Sequence, residues 1–554
     1  MQLKKYAIAL MAVISTMLLV GCGKYQQGNR DQTVRVMADE TITTMDPARG
    51  TDANSAQTMA NVFAGLYRYS GKELVPDMAA RRAKVSNHRT TYTFMIRKNA
   101  QWRDGRPVTA ADFVYSWRRV VNPATKSDNA SLFAGITNAT KIMAGKLPAS
   151  KLGVQAKGPR TLVVHLERPL AYFEPLMAQS AFYPVERKLV RRYGESFGTN
   201  NRTVGYNGPF MLGKWDESSK RWTVRRNPRY WNHARVQLDQ IQTRVVKNSK
   251  QARKLFTEGK LDDVTLTGAA ARGASKSAAF NVVPQNATFY LEMNARSEER
   301  RVGKELGNQQ VRQALSQSID RQDFIKKVLG DSSLPAYTVM PTGMTTNTDD
   351  GTDFADQAAS GVRVYTDYDL ISARKLLRQG LQAAGTRTLS FTIVGSDTDS
   401  AKASLGYLKN AFERLSGDGI KVQVHIQSVP LKTRVAMSES HTADMVVSAW
   451  NANYPDPSTF LDLFTQDSPY NSGQWLNPAY ERLIKQIATT DSVDAASRWQ
   501  DQLQATRLLT RQLGVIPLYQ RGATHLTSTN VKDIFLSPNG IINFTGVSKV
   551  NSLN

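Results

Sequence analysis

The sequence predicts a mixed α/β (α+β) fold with mixed sheets, divided into more than one domain. Three observations carry that prediction. Segments with the two-residue alternation of strands are interleaved irregularly with segments of helical period. Once a 21-residue leader is set aside, 533 of the 554 residues remain, enough for more than one hydrophobic core. Beyond that leader no apolar run approaches the ~20 residues that a membrane-spanning helix needs, which predicts a body lying outside the membrane.

Taken in order, the chain opens with MQLKKYAIALMAVISTMLLVGCGK. Lys4 and Lys5 precede an apolar run and then Gly21-Cys22, the charge, length and small-residue exit of a secretory signal peptide over residues 1–21. Leu19-Val20-Gly21-Cys22 resembles a bacterial lipobox, which implies that Cys22 is acylated and becomes the first residue of the mature chain. Cys22 is the only cysteine, so disulfides, thiolate metal sites and cysteine nucleophiles are excluded together. The polar residues 22–30 read as a flexible tether. Further on, TYTFMI places Tyr92, Phe94 and Ile96 on one strand face, and WRDGRPVTAADFVYSW turns at Asp104-Gly105. Thr109 caps the following helix, with Phe113 and Trp117 on its buried face. Residues 161–166, 221–226, 287–294 and 421–426 alternate as strands. Residues 294–310 read as a basic, solvated loop. In DYDLISARKLLRQGLQAAG, Asp369 caps a helix whose stripe is Leu370, Ala373, Leu376, Leu377 and Leu381, and Gly385 ends it. Near the C-terminus the apolar run DMVVSA reads as a buried strand that passes into WNANYPDPSTF, where two prolines fix a rigid bend. A strand ending in a stiff aromatic turn is a good platform for presenting groups to a ligand.

Composition narrows the function. The formal charge is +25, or +23 without the leader, which carries two lysines and no acid. Neither a long Lys/Arg block nor zinc-finger spacing accompanies it, so nucleic acid is not an expected partner; the charge suits a chain held near anionic lipid and wall polymers. A Walker loop, a nucleophile elbow and a zinc helix motif are absent, and the six histidines are scattered without ligand spacing. Ser372-Ala-Arg-Lys375 and Ser127-Asp128-Asn129 match two penicillin-binding signatures, but in reversed order and without the third. No enzyme, metal or cofactor is expected.

TMDPARG (44–50), WRDGRPVTAADFVYSWRRVVNP (102–123), NGPFMLGKW (207–215), RRNPRYWNHA (225–234), VRQALSQSIDR (311–321), ARKLLRQGLQAAG (373–385), WNANYPDPSTFLDLF (450–464) and IPLYQ (516–520) follow one another through the mature chain. Together they resemble the oligopeptide-binding lipoproteins of bacterial ABC importers, the family-5 extracellular solute-binding proteins. The resemblance implies a two-lobed, three-domain, periplasmic-binding-protein-like fold with hinge closure. Domain I would comprise residues 31–63, 190–286 and 523–554, domain II residues 64–189, and domain III residues 287–522. It implies a monomer, lipid-anchored at the outer face of the cell membrane, of a Gram-positive surface. Its partners would be oligopeptides and an ABC permease with its ATPase subunits. A receptor for one signalling peptide, or a binder of another solute such as a metal chelate or haem, is the alternative.

Peptides of differing sequence share only their main chain, and adding the ligand as an extended strand would hold that. By family position Thr51, Asp52 and Ala53 on one lobe, and Ala449, Trp450, Asn451, Asn453 and Tyr454 on the other, would flank the ligand, with Asn129 at a pocket position in domain II. Relatives commonly read A-D-Y where this chain has Ala452-Asn453-Tyr454, and their aspartate pairs with the peptide's α-ammonium. Asn453 brings no charge, so blocking the peptide's amine is expected to cost little unless Asp456 or another carboxylate reaches in.

Overall fold

The computed structural model describes residues 32–550, apart from 72, 297–300, 348, 490–493 and 538–539 and the side chains of 283, 284, 301 and 432. The leader, the tether and Cys22 lie outside the described residues. Eleven strands build the main sheet: β1 (Thr33–Ala38), β2 (Phe210–Leu212), β3 (Arg221–Arg226), β4 (Gln240–Val245), β5 (Asp263–Leu266), β6 (Phe280–Met293), β7 (Leu334–Pro335), β8 (Thr388–Ser396), β9 (Lys421–Val429), β10 (Met445–Asn451) and β11 (Val515–Thr527). Their order across the sheet is β9-β8-β10-β6-β11-β5-β1-β4-β3-β2, with β7 beside β11. Parallel pairs (β1 with β4 and β5, β8 with β9 and β10) mix with antiparallel ones (β6 with β10 and β11, β5 with β11, β3 with β4), so the fold is mixed α/β.

Two long strands join the halves of this sheet. β6 runs for 14 residues and β11 for 13. One end of β6 pairs with β11 next to β5, the other with β10. Their shared ladder breaks register between Pro284 and Thr288, opposite Gly522 and Gln520. A register break is where a sheet bends most readily. The expected boundaries at 286/287 and 522/523 fall inside these two strands. The first half, around β1–β4, shares one hydrophobic core that includes Trp102, Phe113, Trp117 and Phe182, while Val264 and Leu266 of β5 pack with Leu255 and Leu526 in a smaller cluster. In the second half, Leu291, Leu377, Phe391 and Phe412 belong to one cluster and Tyr290, Phe460, Phe464 and Trp475 to another.

Local rules read from sequence reappear in the elements. Phe94 and Ile96 are fully buried and Tyr92 nearly so; their strand, Thr91–Met95, pairs with Thr161–His165 in a separate four-stranded sheet. Asp112 accepts from the Thr109 backbone N–H at 2.8 Å to start the helix Ala110–Val121, and Gly105 has φ +87°, a conformation that favours glycine. Asp369 caps the helix Leu370–Ala383 by accepting from Ser372 N at 2.9 Å, and Ala373, Leu377 and Leu381 are fully buried. Residues 294–310 correct the sequence reading: Arg301–Gly307 is helical, with Val302 and Leu306, one turn apart, in the core. Two apolar residues at i and i+4 suffice to dock a short helix, and the surrounding Arg, Lys and Glu obscured them. No helix among the described residues is long and apolar enough to cross a membrane.

Candidate functional site

On the first half the site is built on a loop and a helix start. Asp46 is buried and accepts two hydrogen bonds from Arg119, at 2.7 and 2.6 Å, besides one from Ala48 N at 3.0 Å. A bidentate guanidinium–carboxylate pair fixes orientation as well as position, so residues 44–50 are pinned to the helix Ala110–Val121. Asn129 continues that attachment: its amide donates to Gly50 O at 3.0 Å and to Pro47 O at 3.3 Å. Asp52 caps the ten-residue helix α1 (Ala53–Val62), accepting from Ser55 N at 2.8 Å and from the Thr43 hydroxyl. Thr51 and Ala53, on either side of it, are exposed. The carboxylate of Asp52 is therefore committed to the helix, and the open groups are its neighbours.

On the second half, β10 pairs with β6 along its whole length but with β8 only at Met445 and Val446. From Ser448 to Trp450 the strand has a partner strand on one side only, which leaves a ladder edge open. Ala449 is exposed and Trp450 half-buried, its ring tilted against Tyr470 with centroids 4.8 Å apart. Thr459 ties the bend down: its hydroxyl accepts from Asn453 N at 3.1 Å and lies 3.4 Å from the Trp450 indole N–H. Asp456 does the rest, accepting from Arg498 at 2.7 Å, Gln502 at 2.9 Å and Ser458 N at 2.9 Å. The Tyr-Pro-Asp-Pro run is thus a brace held through one oxygen of Asp456, Oδ1, on which all three bonds converge.

The halves meet across this bend. Tyr172 of the first half stacks on Tyr454 with centroids 4.1 Å apart and planes 7° from parallel. Gln179 donates to the carbonyl of Asn453, and the Tyr470 hydroxyl donates to Asp128 O at 3.4 Å. A Cβ on Gly540, where φ is +76°, would stand 3.0 Å from the Asn451 amide nitrogen. One connected path therefore runs from the 47–50 loop through Asn129 and Asp128 to Tyr470 and Trp450. It brings Asn129 and Trp450 into one arrangement, with Thr51 and Ala53 just beyond its first-half end. Tyr454 is spent on the stack, and the Asn453 side chain makes no hydrogen bond with any described residue. Tyr172, Gln179 and Tyr470 were missed by sequence reasoning: each stands in an aperiodic segment and acts across the interface, where no local pattern marks it.

Burial sets the electrostatics. Desolvation pushes the Tyr172 hydroxyl up to about 12 and raises that of Tyr454 as well. Asp462, two residues beyond Phe460, is exposed in area while burial, with the repulsion of Asp456, pushes its carboxyl up to about 7. Among the described residues no group of three or more His, Cys, Asp or Glu is placed to hold a metal ion.

Residues 73–472 match the model of the bacterial extracellular solute-binding proteins, family 5 Middle. A dipeptide-binding protein of Lactococcus lactis is 31% identical over 502 residues, 89% of each chain. The structure of Listeria monocytogenes OppA bound to peptide superposes with a TM-score of 0.85 at 29% identity, covering 94% of this chain and 100% of that one. The Escherichia coli murein tripeptide-binding protein MppA, 27% identical, matches at 0.82 in one structure and at 0.66 in its unliganded open form, covering 94% of this chain and 98% of that chain in both. Because the sequence compared is the same, the drop measures conformation: the arrangement of this chain departs from the open form.

Proposed function

This chain belongs to family 5 of the bacterial extracellular solute-binding proteins, and from that premise we propose that it is the peptide-binding subunit of an ABC importer, capturing extended oligopeptides between two closing lobes and delivering them to a membrane permease. The observation that carries this reading is the open edge of β10 from Ser448 to Trp450, linked through Tyr470 to the half that holds Thr51, Ala53 and Asn129. An unpaired ladder edge beside an aromatic ring accepts an extended main chain whatever its side chains, and water filling the remaining space adapts to those side chains at small cost. In this reading the halves are the lobes of domains I plus II and domain III, and β6 and β11 are the hinge strands. Tyr172, Gln179 and Tyr470 are contacts of the closed state. Cys22 carries the lipid that holds the protein at the outer face of the cell membrane, and the chain performs no chemistry on its ligand.

Native mass spectrometry of the purified protein tests the proposal. A heterogeneous set of co-purified peptides, lost on denaturation, is the expected result. A single defined peptide would assign a signalling role, and a co-purified non-peptide solute in place of peptides would contradict the reading.

A further inference from the structure

The charge of this chain is not spread evenly. Residues 64–286, which run through the first half into β6, carry 39 Lys and Arg against 15 Asp and Glu, a net +24 of the +25 in the whole sequence. Residues 287–554 carry 27 of each and are neutral. Such asymmetry suits a protein that sets one face against an anionic surface. The helix Arg187–Tyr193 concentrates it. Arg187, Lys188, Arg191 and Arg192 are exposed there, and the i,i+4 neighbours are like charges, Arg187 with Arg191 and Lys188 with Arg192. Like charges at that spacing destabilise a helix, so helix formation does not account for them. With Arg106 they line a surface recess of about 620 Å³. The two acids in its wall are already committed: Asp112 caps the helix Ala110–Val121, and Glu186, 4% exposed, pairs with both Arg106 and Lys188. Asp104 pairs with the same two cations, at 2.8 Å each. Arg187, Arg191 and Arg192 make no ion pair or side-chain hydrogen bond with any described residue. Arg187 lies over the ring of Tyr115 and Arg192 over that of Tyr193, their guanidinium carbons 5.6 and 5.4 Å from the centroids. Guanidinium groups with free N–H donors, gathered around a recess, match the oxygens of phosphate.

We propose that the helix Arg187–Tyr193 and the recess it lines dock the first half on the phosphates of anionic phospholipid headgroups, leaving the neutral second half free to close. In an extracellular solute-binding protein the phosphate carriers within reach belong to the cell envelope. Covalent reach favours the membrane among them. From Cys22 to Thr33, where β1 begins, the chain advances 11 residues, at most about 40 Å fully extended, and β1 belongs to the same half. That choice of carrier rests on the reading of Cys22 as the lipid anchor; peptide capture plays no part in it.

Vesicle co-sedimentation of residues 22–554 carrying Cys22→Ser tests the docking without an acyl chain and without loss of any described residue, so docking and anchoring fail separately. At about 0.1 M NaCl this chain is expected to bind vesicles of mixed phosphatidylglycerol and phosphatidylcholine, to bind phosphatidylcholine alone far more weakly, and to release as salt rises. Arg187→Gln, Arg191→Gln and Arg192→Gln together are expected to weaken binding about a hundredfold, roughly fivefold for each charge at the surface, with the melting temperature unchanged. Lys375→Gln, Arg378→Gln and Lys485→Gln, at exposed positions of the second half, remove the same charge and are expected to weaken it less than about threefold. Replacing the three arginines by Lys keeps the charge and is expected to leave binding within about threefold of the starting chain. No binding to the anionic vesicles, equal weakening by the two Gln triples, or a loss with Lys as deep as with Gln overturns the proposal. Calorimetric binding of inorganic phosphate or of a soluble glycerol-phosphate polymer that needs the three arginines, where vesicle binding does not, also overturns it and assigns the recess to a free phosphate or a wall polymer.

Discussion

Glu292 shows how a single buried acid colours the second half. It lies on β6 opposite Val446, is 5% exposed, and its Oε2 has no hydrogen-bond partner. Ser438, also buried and unpartnered, lines the same small cavity with His441 and Ser472. Burial, only partly offset by hydrogen bonds from Ser472 and Ser448 and by Arg434, pushes the Glu292 carboxyl up from 4.5 to about 7. The folded state therefore holds this proton more tightly than the unfolded chain does. The contribution of Glu292 to stability is fully present below pH 4.5 and is lost as pH rises through 7, with a total on the order of 3 kcal/mol. Glu292→Gln is expected to raise the melting temperature at pH 8 and to change it little at pH 5, by calorimetric unfolding. A variant that gains nothing at pH 8 would show that the cavity already satisfies the carboxylate. Such an acid was not legible in the sequence: ATFYLEMN reads as a strand, but the alternation cannot tell that Glu292 is buried against a small cavity rather than exposed on the surface.

At the scale of elements, legibility follows locality. Caps, turns and single-face stripes depend on residues three or four apart, and Thr109, Asp369 and Gly105 were readable for that reason. The two faces of the site are different. Asp52 was named for its family position, yet its carboxylate works locally, on Ser55 N and the Thr43 hydroxyl. Replacing Asp52 with Ala is expected to cost about 1 kcal/mol of stability, whereas Asp52→Asn, which still caps, is expected to cost only a few tenths. Peptide affinity should follow in the same order, because the cap positions Thr51 and Ala53. Chemical denaturation alongside calorimetry checks both. If Asp52→Asn lost binding at full stability, the carboxylate would have a direct role with the ligand. The rigid bend after β10 was legible from its two prolines, but its fastening to Arg498 and Gln502, more than forty residues downstream, was not.

Over the whole molecule, the contacts between halves decide which state is populated. The Tyr172–Tyr454 stack and the Gln179 bond are made only where the two halves meet. An aromatic pair contributes roughly 0.5–1.5 kcal/mol beyond the area it buries. Tyr172→Ala removes this from the closed state alone, so the population shifts toward opening and the apparent affinity for peptide should fall about two- to tenfold. Small-angle scattering should show a larger radius of gyration for the ligand-free variant, converging with the wild type when peptide is added. The order of motifs along the chain made the two-lobed architecture legible. The closure contacts were not, since they join residues separated by more than 270 positions.

Closure around a peptide is the central claim, and thermal unfolding tests it most directly. A ligand that binds the folded protein alone raises the melting temperature with its concentration, by an amount set by mass action. A mixed pool of peptides two to twelve residues long is expected to raise it progressively, while free amino acids, sugars and nucleotides at equal concentration leave it unchanged. No shift with the peptide pool, or an equal shift with any of the other solutes, would contradict the account.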